Sequence, residues 1–175
     1  MQNENNYLLF VILSGVIAMG FSFWKTSWIN SQKEGNERMR IIGASIADGA
    51  MAFLRAEYRV LGIFVVVVAF IIAYMNSGRN DSSALISVSF IVGALASALA
   101  GFLGMRVATK ANNRTTHAAE SSLAKALNVA FSGGAVMGMS VVGLGILGLG
   151  LLFYIYNSTA ILDNNMDRIL NVLSG

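Results

Sequence analysis

The sequence has 175 residues, of which 55% are hydrophobic and only 12% charged, with a mean hydropathy of +0.64 and a formal net charge of +3. So few polar residues cannot cover a folded surface in water, which excludes an ordinary soluble domain and favours a multi-span, all-α membrane protein with the lipid bilayer as its main partner. Cysteine is absent, which excludes disulfides and thiolate metal sites, and the cations cluster at the ends of apolar segments, which argues against a nucleic-acid partner.

The first apolar segment carries no charge from Asn5 to Trp24 and predicts a membrane span over residues 7–24. A cleaved secretory signal is the alternative, but it requires cations before the apolar run. Here Glu4 precedes the run and Lys25 follows it. We therefore expect a retained helix, with Trp24 and Trp28 at one membrane interface.

A basic connection over residues 25–57 follows, and six cations lie between Lys25 and Arg59. Apolar residues near the 3.6-residue period predict a helix from Asn36 onward, with Glu34 paired to Arg38 one turn on. This helix is expected to continue without a break into the second span, residues 58–75, so that it projects well beyond the bilayer.

A polar turn over residues 76–83 leads to the third predicted span, residues 84–104. Small residues recur there every four positions, at Ser89, Gly93, Ser97 and Gly101. Such a seam lets a neighbouring helix approach closely, and we interpret it as a packing surface. A substrate path is the alternative, but the seam carries no ionisable residue.

The next connection, residues 105–129, is interpreted as containing a basic turn from Met105 to Lys125 with four cations, Arg106, Lys110, Arg114 and Lys125. A fourth span is predicted over residues 130–156, where Gly134 and Gly138 form a GxxxG pair that favours close helix packing. The tail, residues 157–175, has apolar residues at helical spacing and predicts an amphipathic segment.

The distribution of cations predicts the topology. Ten of the twelve lysines and arginines fall in two basic stretches, six from Lys25 to Arg59 and four from Arg106 to Lys125, whereas Arg79 and Arg168 fall elsewhere. Because cytoplasmic connections are enriched in Lys and Arg, we expect these two connections inside the cell and both ends of the chain outside. The protein is thus expected to be a multi-pass protein of the inner (plasma) membrane.

Residues suited to chemistry are few. His117, the single histidine, is followed by Glu120, but two ligands cannot complete a metal site. Asp48 lies in an apolar stretch, where a water-facing helix position is the ordinary interpretation and a catalytic role the alternative. Neither paired carboxylates nor a nucleophile with a matching base is recognisable, so no catalytic, cofactor-binding or metal-binding residue is assigned.

Two runs of sequence resemble a known family. These are GNERMRIIGASIADGAMAFLRAEYRVL and GMRVATKANNRTTHAAESSLAKALNVAFSGGAVMGMSVVGLGILGL, in which MRVATKANNR and AFSGGAVMG are distinctive. They are similar to the amino-terminal quarter of the membrane-integral, ion-pumping inorganic pyrophosphatases, and the similarity extends from about Gly35 to Leu152.

The resemblance implies a homodimer with roughly sixteen membrane helices per subunit, which hydrolyses magnesium pyrophosphate and moves protons or sodium ions outward. It implies Mg²⁺, and K⁺ or Na⁺, bound outside this chain, because no stretch here matches the family's aspartate-rich substrate motif. The chain is then expected to be a truncated copy that holds four outer-ring helices, with the remaining helices of the pump as partners. The alternative is a stand-alone four-helix membrane scaffold without hydrolytic activity.

Overall fold

A computed structural model describes residues 2–77, 84–158 and 166–174. In these ranges the chain forms five α-helices and no strand, which confirms the all-α class: α1 (Gln2–Ser31), α2 (Glu37–Asn76), α3 (Ile86–Ala119), α4 (Leu123–Ser158) and α5 (Met166–Ser174). The first four are long and apolar enough to cross a membrane, as expected for a multi-pass membrane protein.

Each predicted span overlaps one of these helices. Residues 7–24, 58–75 and 130–156 lie inside α1, α2 and α4, whereas the span 84–104 begins two residues before α3 does. The membrane boundaries within the helices remain predictions. Most of the predicted turn, residues 78–83, and the beginning of the tail, residues 159–165, lie outside the described residues, as do Arg79 and Leu162.

One connection of the bundle has recognisable local structure. Between α1 and α2 the chain turns at Gly35, whose φ of +90° favours glycine, and Asn36 caps α2 by accepting a hydrogen bond from the Met39 amide. Helix α2 begins at Glu37, in agreement with the helix predicted from Asn36. With 40 residues it is about 60 Å long, roughly twice the thickness of a bilayer core.

The prediction of a basic turn from Met105 to Lys125 is wrong for most of its length. Helix α3 continues to Ala119, only a short turn follows, and α4 begins at Leu123. The reason is packing: Val107 and Ala111 are buried against α1 and α4, and neither glycine nor proline interrupts the sequence between them and the turn. The charged residues of this segment predict that it lies outside the lipid, but they do not end the helix.

The long helices pack in the order α2, α3, α4, α1, and described residues of α1 and α2 do not touch. A buried cluster at one end joins α3, α4 and α5 through Ile86, Leu152, Tyr156, Ile169 and Val172. A second cluster at the other end joins α1, α3 and α4 through Ile29, Val107, Ala111, Val129 and Val136. The described tail is therefore packed against the bundle by the apolar face of α5.

Small residues support packing, but only some of those predicted to do so. A Cβ at Gly101 would lie 3.1 Å from the Tyr58 hydroxyl of α2, whereas one at Gly93 would meet no atom within 4 Å. Gly134 and Gly138 face open space as well. The closest backbone approach involves Gly143 of α4, where a Cβ would lie 3.2 Å from the carbonyl oxygen of Gly15 in α1.

Polar groups tie the same helices together inside the bundle. The buried Ser22 hydroxyl of α1 lies 2.6 Å from the hydroxyl of Ser140 and donates to the carbonyl of Val136, both in α4. Between α3 and α4, the hydroxyls of Ser89 and Tyr156 are 3.1 Å apart. Each pair satisfies groups that would be costly to leave unpaired in an apolar surrounding.

Candidate functional site

The polar and ionised side chains concentrate at one end of the bundle, which we call the basic end and define as residues 25–40 and 106–125. There, α1 and α3 end, while α2 and α4 begin. At its centre is Arg114 of α3, which is only 7% exposed and shares a helix face with Val107 and Ala111. A buried guanidinium must find partners to offset its lost hydration.

Two of its three nitrogens have such partners. Nη1 of Arg114 donates to the carbonyl of Lys110 at 2.7 Å, and Nη2 donates to Oε1 of Glu34 at 2.7 Å. The third, Nε, is buried and has no hydrogen-bond partner among the described residues. This geometry fixes the guanidinium to α3 and to the segment that connects α1 to α2.

Glu34 is therefore a link between elements. Its other carboxylate oxygen lies 3.6 Å from Nε of Arg40 in α2, and Arg40 also contacts Glu37 at 3.4 Å. The prediction that Glu34 pairs with Arg38 is wrong. Glu34 precedes the turn at Gly35 and lies outside α2, so the one-turn spacing of a helix does not apply to it. The carboxylate faces α3 instead.

Lys25 of α1 occupies the side of the basic end nearer the apolar body. Its Nζ lies 3.3 Å from the hydroxyl of Ser132 in α4 and 4.8 Å from the centre of the Trp28 ring. It is also 5.4 Å from the centre of the Trp24 ring. A lysine between two tryptophans is typical of the interface between lipid and water, where an ammonium stays hydrated and the rings remain partly apolar.

His117 and Glu120 come together at the end of α3, with 2.9 Å between Nδ1 and Oε2. Within residues 2–77, 84–158 and 166–174, no three histidine or acidic side chains are placed to hold a metal ion. Because Mg²⁺ depends on carboxylates, phosphates and water, and Glu34 and Glu37 are engaged by arginines, the described residues do not fit a magnesium site.

Asp48 is exposed on α2 and makes no ion pair with a described residue. Its interpretation as a helix residue that faces water stays a prediction. No hydrogen bond or ion pair with another described residue supports a catalytic role for Asp48. What the ion pairs of the basic end do is to connect α3 with the segment between α1 and α2 and with the first turn of α2.

The sequence contained one sign of the buried arginine that spacing alone could have found. Val107, Ala111, Arg114 and Ala118 follow one another at intervals of three or four residues and so share one face of a helix. An arginine on an otherwise apolar face indicates a buried, paired cation. The interpretation of this stretch as a turn concealed that face.

Comparison with known proteins adds the family context. The profile of the family described as inorganic H⁺ pyrophosphatase matches residues 16–175. A putative K⁺-stimulated pyrophosphate-energized sodium pump of Clostridium tetani is 52% identical over 151 residues, which cover 86% of this chain and 22% of the relative. A K⁺-insensitive pyrophosphate-energized proton pump 2 of Moorella thermoacetica is 41% identical over 146 residues, which cover 83% of this chain and 21% of the relative.

A third relative, a K⁺-insensitive pyrophosphate-energized proton pump of Pyrobaculum aerophilum, is 38% identical over 138 residues, or 78% of this chain and 19% of the relative. The chain thus spans about a fifth of the length of these curated relatives. Their names divide between sodium and proton pumps.

Proposed function

The chain belongs to the inorganic H⁺ pyrophosphatase family, and from this premise we propose that it supplies four amino-terminal membrane helices of a pump driven by pyrophosphate hydrolysis. The pump moves protons or sodium ions outward. The observation that carries the proposal is the family match over residues 16–175, a range that contains α2 to α5 completely and about half of α1.

Within that pump, these helices act as an outer-ring scaffold and not as the catalytic centre. Two features support this role. The described residues hold no cluster of metal-ligating side chains, and α2 exposes large apolar residues such as Phe64, Phe70 and Tyr74, which suit contact with lipid. Pyrophosphate, Mg²⁺ and the K⁺ or Na⁺ implied by the family would bind to other parts of the pump, and a second subunit would complete a homodimer.

The proposed orientation places the basic end in the cytoplasm and both ends of the chain outside, in the plasma membrane. Lys33, Arg114 and Lys125 at the basic end, together with Lys25 between its tryptophans, support this arrangement through the preference of cytoplasmic connections for cations. Pyrophosphate made in the cytoplasm would then reach the pump on the side where hydrolysis takes place.

The test uses the full-length protein in sealed vesicles. We expect magnesium pyrophosphate, and not magnesium ATP, to drive either acidification, read by quenching of a pH-sensitive dye, or uptake of radioactive sodium. Vesicles without the protein are the control. Absence of both ion movements together with absence of pyrophosphate hydrolysis would contradict the pump assignment and favour the stand-alone scaffold.

The scaffold role has its own test. Residues 1–175 expressed alone should insert into the membrane and release no phosphate from magnesium pyrophosphate above the level of empty membranes, because the described residues include no group of side chains that could hold a metal ion. Hydrolysis by this chain alone would overturn the scaffold role while leaving the family membership intact.

A further inference from the structure

A cavity of about 620 Å³ opens at the basic end between α1, α3 and the first turns of α4. Its lining includes Trp28, Lys33, Arg114, His117, Lys125 and Asn128. We propose that this cavity binds a phosphate-bearing anion, either the headgroup of an anionic lipid or free phosphate, and so serves as an anion site separate from any centre of hydrolysis.

The charges around the cavity favour an anion. Its lining contains Lys33, Arg114 and Lys125 but one acidic residue, Glu120, which is hydrogen-bonded to His117. Arg114 is balanced by its ion pair with Glu34, whereas neither Lys33 nor Lys125 forms an ion pair with a described residue. These two lysines therefore leave the cavity with unbalanced positive charge.

Hydrogen-bond donors point to the same ligand. Arg114 contributes a rigidly held guanidinium, because Lys110 and Glu34 already fix two of its nitrogens. Lys125 and Asn128 lie in the first two turns of α4, and the partial positive charge of a helix amino terminus adds to the attraction.

The size and the remaining lining fit the proposed chemistry. A phosphate group needs only part of such a volume, which leaves room for water or for the glycerol that follows a lipid phosphate. The half-buried ring of Trp28 and the side chain of Val129 supply an apolar wall on one side. A preformed, polar cavity with an apolar wall suits an amphipathic ligand as well as a small anion.

The test measures binding by the full-length protein and does not depend on pump activity. One arm compares retention of phosphatidylglycerol with that of phosphatidylcholine by native mass spectrometry. The other measures binding of radioactive inorganic phosphate by equilibrium dialysis. The variant Lys33→Gln/Lys125→Gln is compared with Arg38→Gln, which removes an exposed cation of α2 that does not line the cavity.

We expect the double variant to lose affinity by roughly tenfold or more in one arm, while Arg38→Gln retains it. Loss in the lipid arm identifies a headgroup, and loss in the phosphate arm identifies a free anion. The charge-preserving Lys33→Arg/Lys125→Arg variant should bind as the parent does. Equal affinity of the parent and the double variant in both arms, or equal losses in the double variant and Arg38→Gln, would overturn the proposal.

Discussion

Arg114 shows how a single charged side chain can organise the end of a membrane bundle. Burial costs the guanidinium of Arg114 its hydration, which is unfavourable unless another group compensates for it. Glu34, 80 residues earlier in the chain, compensates through an ion pair in which Oε1 of Glu34 lies 2.7 Å from Nη2 of Arg114. Removing one member of such a pair leaves the other without its counter-charge, which is generally more harmful than never having had the pair. The contribution of this ion pair to stability can therefore be measured by substituting Glu34.

We expect Glu34→Gln to lower the free energy of unfolding by about 1–3 kcal/mol, because Arg114 would keep a polar neighbour but lose its ionised one. Because the Glu34 side chain is 44% exposed, we expect a smaller loss of stability than for a fully buried ion pair. Thermal unfolding in detergent, followed by tryptophan fluorescence, measures the change.

The matched control is Glu37→Gln, which breaks an exposed contact with Arg40 that should contribute about 0–0.5 kcal/mol. Equal shifts in the unfolding midpoint for both variants would show that the buried pair has no special weight.

At this scale the sequence indicated which residue types matter but not which pairs form. It placed His117 beside Glu120, and those side chains do meet, since both lie near the end of one helix. It could not bring Glu34 to Arg114, because that contact depends on the turn at Gly35 and on the packing of α1 beside α3. The spacing of residues along the sequence predicts neither this turn nor this packing.

Among the elements, α2 depends on one neighbour. In the described part of the chain it packs against α3 alone of the long helices, with Gly43 next to Asn113 and Tyr58 next to Ala98 and Gly101. The Tyr58 hydroxyl donates a 2.6 Å hydrogen bond to the carbonyl of Ala98 in α3.

Tyr58→Phe should therefore weaken the contact of α2 with α3 and lower the free energy of unfolding by about 0.5–1.5 kcal/mol. Tyr74→Phe, on the exposed side of the same helix, is the control and should leave stability unchanged. A midpoint of thermal unfolding that falls for Tyr74→Phe but not for Tyr58→Phe would contradict this assignment of the packed face.

Glycine supports a different contact, between α1 and α4. At Gly143 an added Cβ would meet Met19 at 3.0 Å and the backbone oxygen of Gly15 at 3.2 Å, and backbone yields less readily than a flexible side chain. Gly143→Leu should push the two helices apart and destabilise the protein by about 1–3 kcal/mol.

Gly62→Leu on α2 provides the control, since a Cβ there meets no atom within 4 Å. Its stability should equal or slightly exceed that of the parent, because leucine favours the helix more than glycine does. The yield of folded protein after detergent extraction and its unfolding midpoint both report the difference. Similar behaviour of the two variants would mean that α1 and α4 can separate without loss.

These contacts also explain why the GxxxG pair was a poor guide. The motif identifies small residues at helical spacing, but α4 carries several such stripes, and which one meets a partner depends on the rotation of the helix about its axis. Gly143 and Gly133 face α1 and α3, so Gly134 turns away from both. The length of each apolar segment predicted that a long helix forms there, but it did not predict how that helix is rotated about its axis.

For the whole molecule, two buried clusters at opposite ends define an axis. One contains Ile86, Tyr156 and Ile169, and the other contains Ile29 and Val129, next to the basic end. Helix α3 runs through both clusters, from Ile86 in the first to Val107 and Ala111 in the second, and its full length of 34 residues, about 50 Å, exceeds the thickness of a bilayer core. The two ends should consequently be exposed on opposite sides of the membrane.

Charge gaps predicted this layout because the free energy of placing lysine or arginine in lipid is large compared with any local contact. The same rule could not predict how far each helix extends into water. Helices α2 and α3 continue side by side beyond the predicted spans, where Gly43 packs against Asn113, and that continuation is a matter of helix packing.

The proposed orientation can be tested by cysteine labelling, for which residues 1–175 offer a clean background because they contain no cysteine. We expect Lys33→Cys, at the basic end, to react with a membrane-impermeant maleimide only in inside-out vesicles. Asp167→Cys, exposed on α5 at the opposite end, should react in intact cells. Each variant serves as the control for the other, since both sites are exposed and differ only in the side they occupy. The reverse pattern would invert the bundle and place the anion cavity outside the cell, whereas labelling of both sites from one side would mean that the long helices do not cross the membrane as four spans.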